Sequence, residues 1–450
     1  MLYRKMESSI YQHLVSGSDK VLVVTGARQV GKSYIIGYVA RQLFKNLIEI
    51  NFIEDANGPG YFKDVRTTED FYLIMSALYG DRMGKREDTI VFLDEIQRYP
   101  QFLTMLKFLR EEGRFSYIAS GSLLGVSLKS TVSVPVGSIE ILKMYPLDFE
   151  EFLIANEVGK DVIDFMRKSF SDRASLPAGL HERIMDLFRR YLLVGGMPDV
   201  VNTYLATHNI MEVRKVQHSI HELYAADASQ YDQEHKLKIK RMYEMLPSLM
   251  ENQKKRVVFK EIEDRKGARA TDFKDDLDYL ISSGIALETT AVSNPKFPLV
   301  ESMKKNLLKL YMNDVGLLTS LLYRNNVKPI LNDEDSINLG SVYETVVAME
   351  LAAHGNTLHY YDNKSHGEVD FLIDDFQTLS VAPIEVKSGK DYKVHSALNR
   401  FLSTKDYNIH QGYVLSNSGK VEVVGRIVYM PVYNVAFFEP DIVSEEDMYI

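Results

Sequence analysis

The chain has 450 residues, 45% hydrophobic and 26% charged, which is the composition of a multidomain globular protein and not of a disordered or fibrous one. Its 62 acidic against 53 basic side chains give a net charge of -9, which excludes a uniformly basic nucleic-acid coat but not a local basic patch. Cysteine is absent, so disulfides, thiolate metal sites and a thiol nucleophile are excluded. The first residues, MLYRKMESSIYQHL, hold no apolar run of the signal-peptide kind, and no stretch reaches the roughly 18 apolar residues of a membrane span. The expectation is a cytoplasmic protein with no membrane partner.

In chain order, four apolar runs of strand length come first: Val21 to Gly26, Asn46 to Phe52, Thr89 to Glu95 and Phe115 to Ser122. They end at or next to small, polar or acidic residues, and helix-length segments separate them, the pattern of an α/β domain around a buried parallel sheet. From Phe149 to Asp232 the apolar spacing turns helical. The last 150 residues return to mixed α/β, with a helix near Val342 to Ala353 and strands near Val369 to Ile373 and Ile384 to Val386. The expected division is an α/β core over 1–155, a helical lid or linker over 156–232, a small mixed domain over 233–300 and a second α/β domain over 301–450.

Directly after the first strand, Gly26-Ala27-Arg28-Gln29-Val30-Gly31-Lys32-Ser33 satisfies G-x-x-x-x-G-K-[ST]. Such a loop curls so that successive backbone N–H groups point at phosphate oxygens, and the following helix adds the positive end of its dipole. Lys32 is expected on the β- and γ-phosphates of ATP and the Ser33 hydroxyl on Mg2+. Asp94 ends the run Ile90-Val91-Phe92-Leu93, where a strand tip meets the loop and a carboxylate can hold the ion through water. Glu95 is the candidate general base on the attacking water. Ser120 or Ser122, at the end of the next strand, is a candidate sensing contact between Asp94 and the γ-phosphate; a plain strand-end turn reads equally well there.

The segments GARQVGKS, IVFLDEIQ, ASGS, YPLDFEEFL and YLLVGGMP, in that order, resemble the ATPase domain of bacterial and archaeal AAA-like, STAND-related proteins over roughly residues 1–230. The resemblance implies an AAA+-type core followed by a helical segment. Many relatives carry an arginine after the glycine before PLDFEEF, where this chain reads Val136-Gly137-Ser138, so no arginine finger carries over. Arg28, Arg98, Arg110 and Arg114 remain candidates for that role.

Residues 234–274 hold twelve Lys or Arg against seven acids, a basic stretch in an acidic chain. From Tyr243 to Val292 the order helix, helix, helix, β-like end resembles a winged helix-turn-helix, with Thr271 to Ser283 as the recognition helix. That helix carries Asp272, Asp275, Asp276 and Asp278, which repel phosphates, while Lys254, Lys255, Arg256, Arg265, Lys266 and Arg269 flank it. DNA contact through these cations and a structural or protein-binding role both stay open.

Near the C-terminus Glu368 and Asp370 share one strand face and Glu385 and Lys387 another, with Glu344 on the preceding helix. Should these faces meet, the carboxylates suit Mg2+, with Lys387 orienting or activating a water against a phosphodiester. The arrangement resembles the PD-(D/E)XK nuclease-like fold, the Holliday-junction-resolvase branch in particular. That resemblance implies Glu344, Asp370 and Glu385 as metal ligands and Lys387 as catalytic, with Val369 standing where the motif's proline would be. Two functions follow as expectations. One is Mg2+-dependent ATP hydrolysis coupled to a DNA-associated nuclease-like domain. The other is a nucleotide-dependent switch that binds proteins and keeps an inactive nuclease fold. Oligomeric state is not legible in the sequence.

Overall fold

The structure, a computed structural model, describes residues 1–122, 137–231, 236–251, 273–332, 338–363, 367–389 and 392–440. The chain forms two compact units, Met1–Tyr145 with Asp278–Ile285, and Pro146–Leu277 with Ala286–Ile450.

The first unit alternates helices and strands: α1 (Met6–Val15), β1 (Val21–Thr25), α2 (Lys32–Leu43), β2 (Asn46–Asn51), α3 (Phe52–Asn57), α4 (Thr68–Tyr79), β3 (Thr89–Asp94), α5 (Gln101–Glu112), β4 (Ser116–Gly121) and β5 (Ile139–Lys143). Among the described residues its five strands are parallel, in the order β2-β3-β4-β1-β5. All six residues of β3 are buried, as continuous apolar runs require when both faces of a sheet are covered. Val23, Ile50 and Leu93 from the sheet join Phe52, Phe71, Phe102 and Leu106 in one core. The Phe52 and Phe102 rings lie 4.5 Å apart. The register pairs Thr25 with Gly121 and Leu93 with Ala119, so the ends of β1, β3 and β4 reach one sheet edge together. The four strands expected from sequence are present to within a residue or two, and β5 is an addition to them.

The second unit begins with helices α6 (Phe149–Ala155), α7 (Lys160–Ser171), α8 (Ala178–Val194), α9 (Pro198–Thr207), α10 (Ile210–Tyr231) and α11 (Lys236–Glu251). Asp148 starts α6 with a capping box, accepting from the Glu151 amide while the Glu151 carboxylate takes the Asp148 amide. Helix α12 (Lys274–Ser282) passes from the second unit into the first. Then follow β6 (Ala286–Val292), β7 (Met303–Met312), α13 (Val315–Tyr323), α14 (Lys328–Leu331), α15 (Gly340–Ala353), β8 (His359–Asn363), β9 (Gly367–Asp375), β10 (Ser380–Lys387), α16 (Ser396–Ser403), β11 (Gly412–Ser416), β12 (Glu422–Val424) and β13 (Ile427–Pro431). Among the described residues these strands make an eight-stranded mixed sheet, in the order β12-β13-β11-β10-β9-β8-β6-β7.

Strand β6 was expected to close a separate winged-helix domain, yet it pairs with β7 and β8 inside this sheet, which therefore crosses residue 300. A seven-residue run of mostly apolar or small residues can fill either a wing or a sheet interior, and only the long-range pairing decides between them. The basic residues Lys254, Lys255, Arg256, Lys260, Arg265, Lys266 and Arg269 lie outside the described residues. Helix α15 is buried on all sides from Ser341 to Ala352 and packs on β6, β7 and β10.

Candidate nucleotide-binding site

The loop from Gly26 to Gly31 joins β1 to α2 at the edge where β3 and β4 also end. Gly26 has φ +142°, and a Cβ there would stand 2.1 Å from the Met144 carbonyl oxygen, so a larger residue has no room. Arg4, 7% exposed, donates to the Val30 carbonyl at 2.8 Å and the Tyr145 carbonyl at 2.6 Å, bracing the far side of the loop. Lys32 Nζ donates to the Gly26 and Ala27 carbonyls at 3.0 and 2.8 Å, a reach that places the ammonium over the loop. Burial pulls its pKa down, Arg28 adds to this, and Glu95 and Asp94 oppose it.

Across the loop, Ser33 Oγ donates to Asp94 Oδ1 and Oδ2 at 3.0 and 2.9 Å. The two expected Mg2+ ligands thus stand together, although they are 61 residues apart in the chain. Asp94 is also held by the Asn51 amide at 3.3 Å and by the Ser120 hydroxyl. Burial raises the pKa of its carboxyl, the Ser120 bond opposes this, the neighbouring Glu95 adds to it, and Ser33 and Lys32 oppose it. A hydroxyl and a carboxylate in contact beside a phosphate loop fit a hard divalent ion, which prefers oxygen ligands.

Glu95 adopts φ +56°, ψ +47°, a left-handed conformation that is uncommon outside glycine and frequent where a site holds a side chain in place. Its Oε2 accepts from Ser122 Oγ at 2.9 Å and from the Gln97 amide, and that amide also reaches Ser122 at 3.1 Å. The serines expected as sensing contacts therefore divide the work: Ser120 on Asp94, Ser122 on Glu95. Sequence reasoning missed Asn51, Gln97 and Arg4. The polar ends of the β2 and β3 runs were the available signal for the first two. Of the finger candidates, Arg98 is exposed, and Arg114 lies 4.1 Å over the Tyr72 ring and beside Glu112.

The C-terminal side chains singled out from sequence also converge. Ile384 pairs with Phe371, which sets Glu385 and Lys387 of β10 on the face of β9 that carries Asp370 and Glu368. Lys387 Nζ donates to Glu385 Oε1 at 2.8 Å, and Asp370 Oδ2 accepts from the Val386 amide at 2.8 Å. Glu344, on α15, accepts from the Tyr311 hydroxyl at 3.1 Å. Lys309, which the sequence did not single out, makes an ion pair with Glu368. Burial pulls Lys309 down, and Glu368, Glu344 and Asp370 together outweigh it, leaving the ammonium raised. Lys387 is raised in the same way against its burial, chiefly by Glu385, and burial raises Glu385 against the pull of Lys387. Among the described residues, no three acidic or histidine side chains stand in an arrangement that could hold a metal ion.

A parallel sheet whose edge carries a phosphate loop, an acid pair on the β3 tip and a hydroxyl on β4 defines a P-loop ATPase domain of the AAA kind. Residues 18–153 match the family model described as AAA domain. Residues 185–328 and 339–435 match two domains of unknown function, DUF8612 and DUF4143. An uncharacterized protein of Haemophilus influenzae is 25% identical over 192 residues, and the match spans 41% of this chain and 41% of that protein. Among solved structures, a Walker-type ATPase of Pyrococcus abyssi is 15% identical with a TM-score of 0.44, over 72% of this chain and 96% of that one. The RuvB Holliday junction branch migration motor of Thermotoga maritima is 14% identical with a TM-score of 0.27, over 63% and 89%. Among the described residues, no helix is long and apolar enough to cross a membrane.

Proposed function

We propose that the chain binds ATP with Mg2+, hydrolyses it, and uses its nucleotide state as a switch on the residues that follow the ATPase domain. The contact of Ser33 Oγ with Asp94 at 2.9 Å, with Glu95 next in the chain, carries the first part. Ser33 and Asp94 would hold Mg2+, which when bound neutralises charge on the phosphate oxygens. Lys32 exchanges the Gly26 and Ala27 carbonyls for β- and γ-phosphate oxygens. Glu95 accepts the proton of the attacking water while the bond from the γ-phosphorus to the bridging oxygen breaks and ADP leaves with the electron pair. Ser122 and Gln97 hold the Glu95 carboxylate on that line.

Support for the switch comes from residues 278–285, which belong to the ATPase unit although they follow it by more than a hundred residues. A Cβ at Gly284, which has φ +75°, would stand 3.0 Å from the backbone nitrogen of Ala27, inside the phosphate loop. A loop that reorganises around phosphate therefore shifts against this segment. The test is amide hydrogen exchange of the whole chain with and without a non-hydrolysable ATP analogue. Changed protection at 278–285 supports the switch; unchanged protection there, alongside clear protection of 26–33, removes it.

The rival, a metal-dependent nuclease acting on DNA, draws on the convergence of Glu344, Asp370, Glu385 and Lys387. The ion pairs that Lys309 and Lys387 make favour the switch instead: Lys387 holds Glu385, one of the carboxylates such a reaction needs, and Lys309 on Glu368 brings a second ammonium to the cluster. Metal-dependent cleavage of linear, branched or single-stranded DNA, lost on Lys387→Ala, would restore the nuclease.

A further inference from the structure

One side chain of the C-terminal cluster is of the wrong type for a divalent-ion seat. Lys309 lies on β7 and is 1% exposed, yet its ammonium meets Glu368 on β9, although β6 and β8 lie between the two strands. On the way it passes 4.7 Å from the ring of Tyr360, on β8. A fully buried ammonium is costly unless carboxylates and a π-face surround it, and here both do.

The partners of the other side chains lead to the same place. The carboxylates of Glu344, Glu368, Asp370 and Glu385 share this region, and each acts on Lys309, Lys387 or both. Lys387 holds Glu385, Lys309 holds Glu368, the Tyr311 hydroxyl donates to Glu344 and the Val386 amide donates to Asp370. A divalent ion among these oxygens would face the Lys309 ammonium in a medium that screens like charges poorly. Glu385 Oε2 is buried without a hydrogen-bond partner, an oxygen that a divalent ion could take up once the Lys309 ammonium no longer repels it.

We infer that Lys309 supplies the cation of this cluster from within the chain, in the position where a catalytic carboxylate cluster holds a metal, and that the C-terminal domain takes no divalent ion. The inference does not depend on the ATPase reading, because the P-loop ligands Ser33 and Asp94 belong to the other unit.

The test is Mn2+ titration of the full chain without nucleotide, followed by the electron paramagnetic resonance of free Mn2+ and by thermal unfolding. The parent is expected to show no saturable site that Asp370→Asn removes, and no Mn2+ shift of its melting temperature that Asp370→Asn removes. Lys309→Met, similar in length and uncharged, is expected to melt lower by on the order of 10 °C in metal-free buffer, because it leaves buried carboxylates uncompensated. Mn2+ should restore that loss, and Lys309→Met combined with Asp370→Asn should not respond. Lys309→Arg keeps the charge and should ignore Mn2+ as the parent does. A parent site for Mn2+ that Asp370→Asn or Glu385→Gln abolishes would overturn the inference, whether or not Lys309→Met folds. A folded Lys309→Met that is indifferent to Mn2+ would overturn it too.

Discussion

Asp314 Oδ2 accepts a hydrogen bond from the backbone amide of Gly196 at 2.6 Å, across 118 residues of chain. The same carboxylate caps α13 by accepting from the Leu317 amide at 2.9 Å. A Cβ at Gly195 would stand 2.1 Å from Asp314 Oδ1, and one at Gly196 would stand 2.1 Å from the Leu147 carbonyl oxygen. The Gly195-Gly196-Met197-Pro198 turn is thus a close-packed joint between the end of α8, the start of α13 and the residue before the α6 cap. Gly196→Ala and Asp314→Ala should each destabilise the second unit by about 3 kcal/mol, through overpacking in one case and orphaned buried N–H groups in the other. The urea midpoint of the full chain, read by far-UV circular dichroism, measures both.

The pH dependence of that joint has a sign. Burial raises the Asp314 carboxyl from 3.8 to about 6, with the Gly196, Leu317, Gly316 and Met197 amides opposing it. The folded state therefore binds the proton more tightly than the unfolded one. Its stabilising effect is full below pH 3.8 and is lost as pH rises through about 6. The loss is on the order of 3 kcal/mol. Asp314→Asn should flatten stability over this window.

His221 works in the opposite direction. Burial lowers its pKa from 6.5 to about 4, while its Nδ1 meets the Tyr243 hydroxyl at 2.5 Å and its Nε2 meets Ser320 Oγ at 2.9 Å. Its contribution is present above pH 6.5 and is lost as pH falls through about 4, where the buried ring must take a charge. Asp314 and His221 thus oppose each other over much of the same range. His221→Gln should expose the Asp314 slope: a variant whose stability falls more steeply from pH 4 to pH 6 than the parent's. An unchanged slope would refute the pairing.

At the ATPase site, Lys32→Ala should abolish ATP binding by fluorescence titration, since it removes the ammonium over the loop. Glu95→Gln should keep binding and lower turnover by about 10²–10⁴-fold, because an amide cannot take the proton. Equal phosphate release by Glu95→Gln and the parent would refute the assignment of Glu95.

Gln97→Ala and Ser122→Ala address how Glu95 is held. Each removes one donor to Oε2, worth roughly 1 kcal/mol, so kcat should fall by about tenfold or less while KM for ATP stays near the parent value. A change in KM alone would place these residues in binding instead of positioning.

The phosphate loop and the four apolar strands were legible because their information is local. Gly26, Gly31, Lys32 and Ser33 sit within eight residues, and β1, β3 and β4 are apolar runs whose burial shows in composition alone, while β2, at the end of the strand order, alternates more. Asp94 and Glu95 were legible for the same reason, as the polar end of such a run. The C-terminal acids were found by the period-two alternation of β9 and β10, which puts Glu368 with Asp370 and Glu385 with Lys387 whatever lies beyond. What the sequence could not supply was the partner of each. Lys309 lies 59 residues before Glu368, in a strand whose apolar pattern gives no reason for a buried ammonium. Asp314 and the Gly195-Gly196 turn, Asn51 and Asp94, and β6 with β8 are likewise joined only by the fold. A strand or loop is chosen by neighbours along the chain. Whether a carboxylate meets a metal, an ammonium or an amide is chosen by neighbours in space, and those are set only once the sheet order is formed.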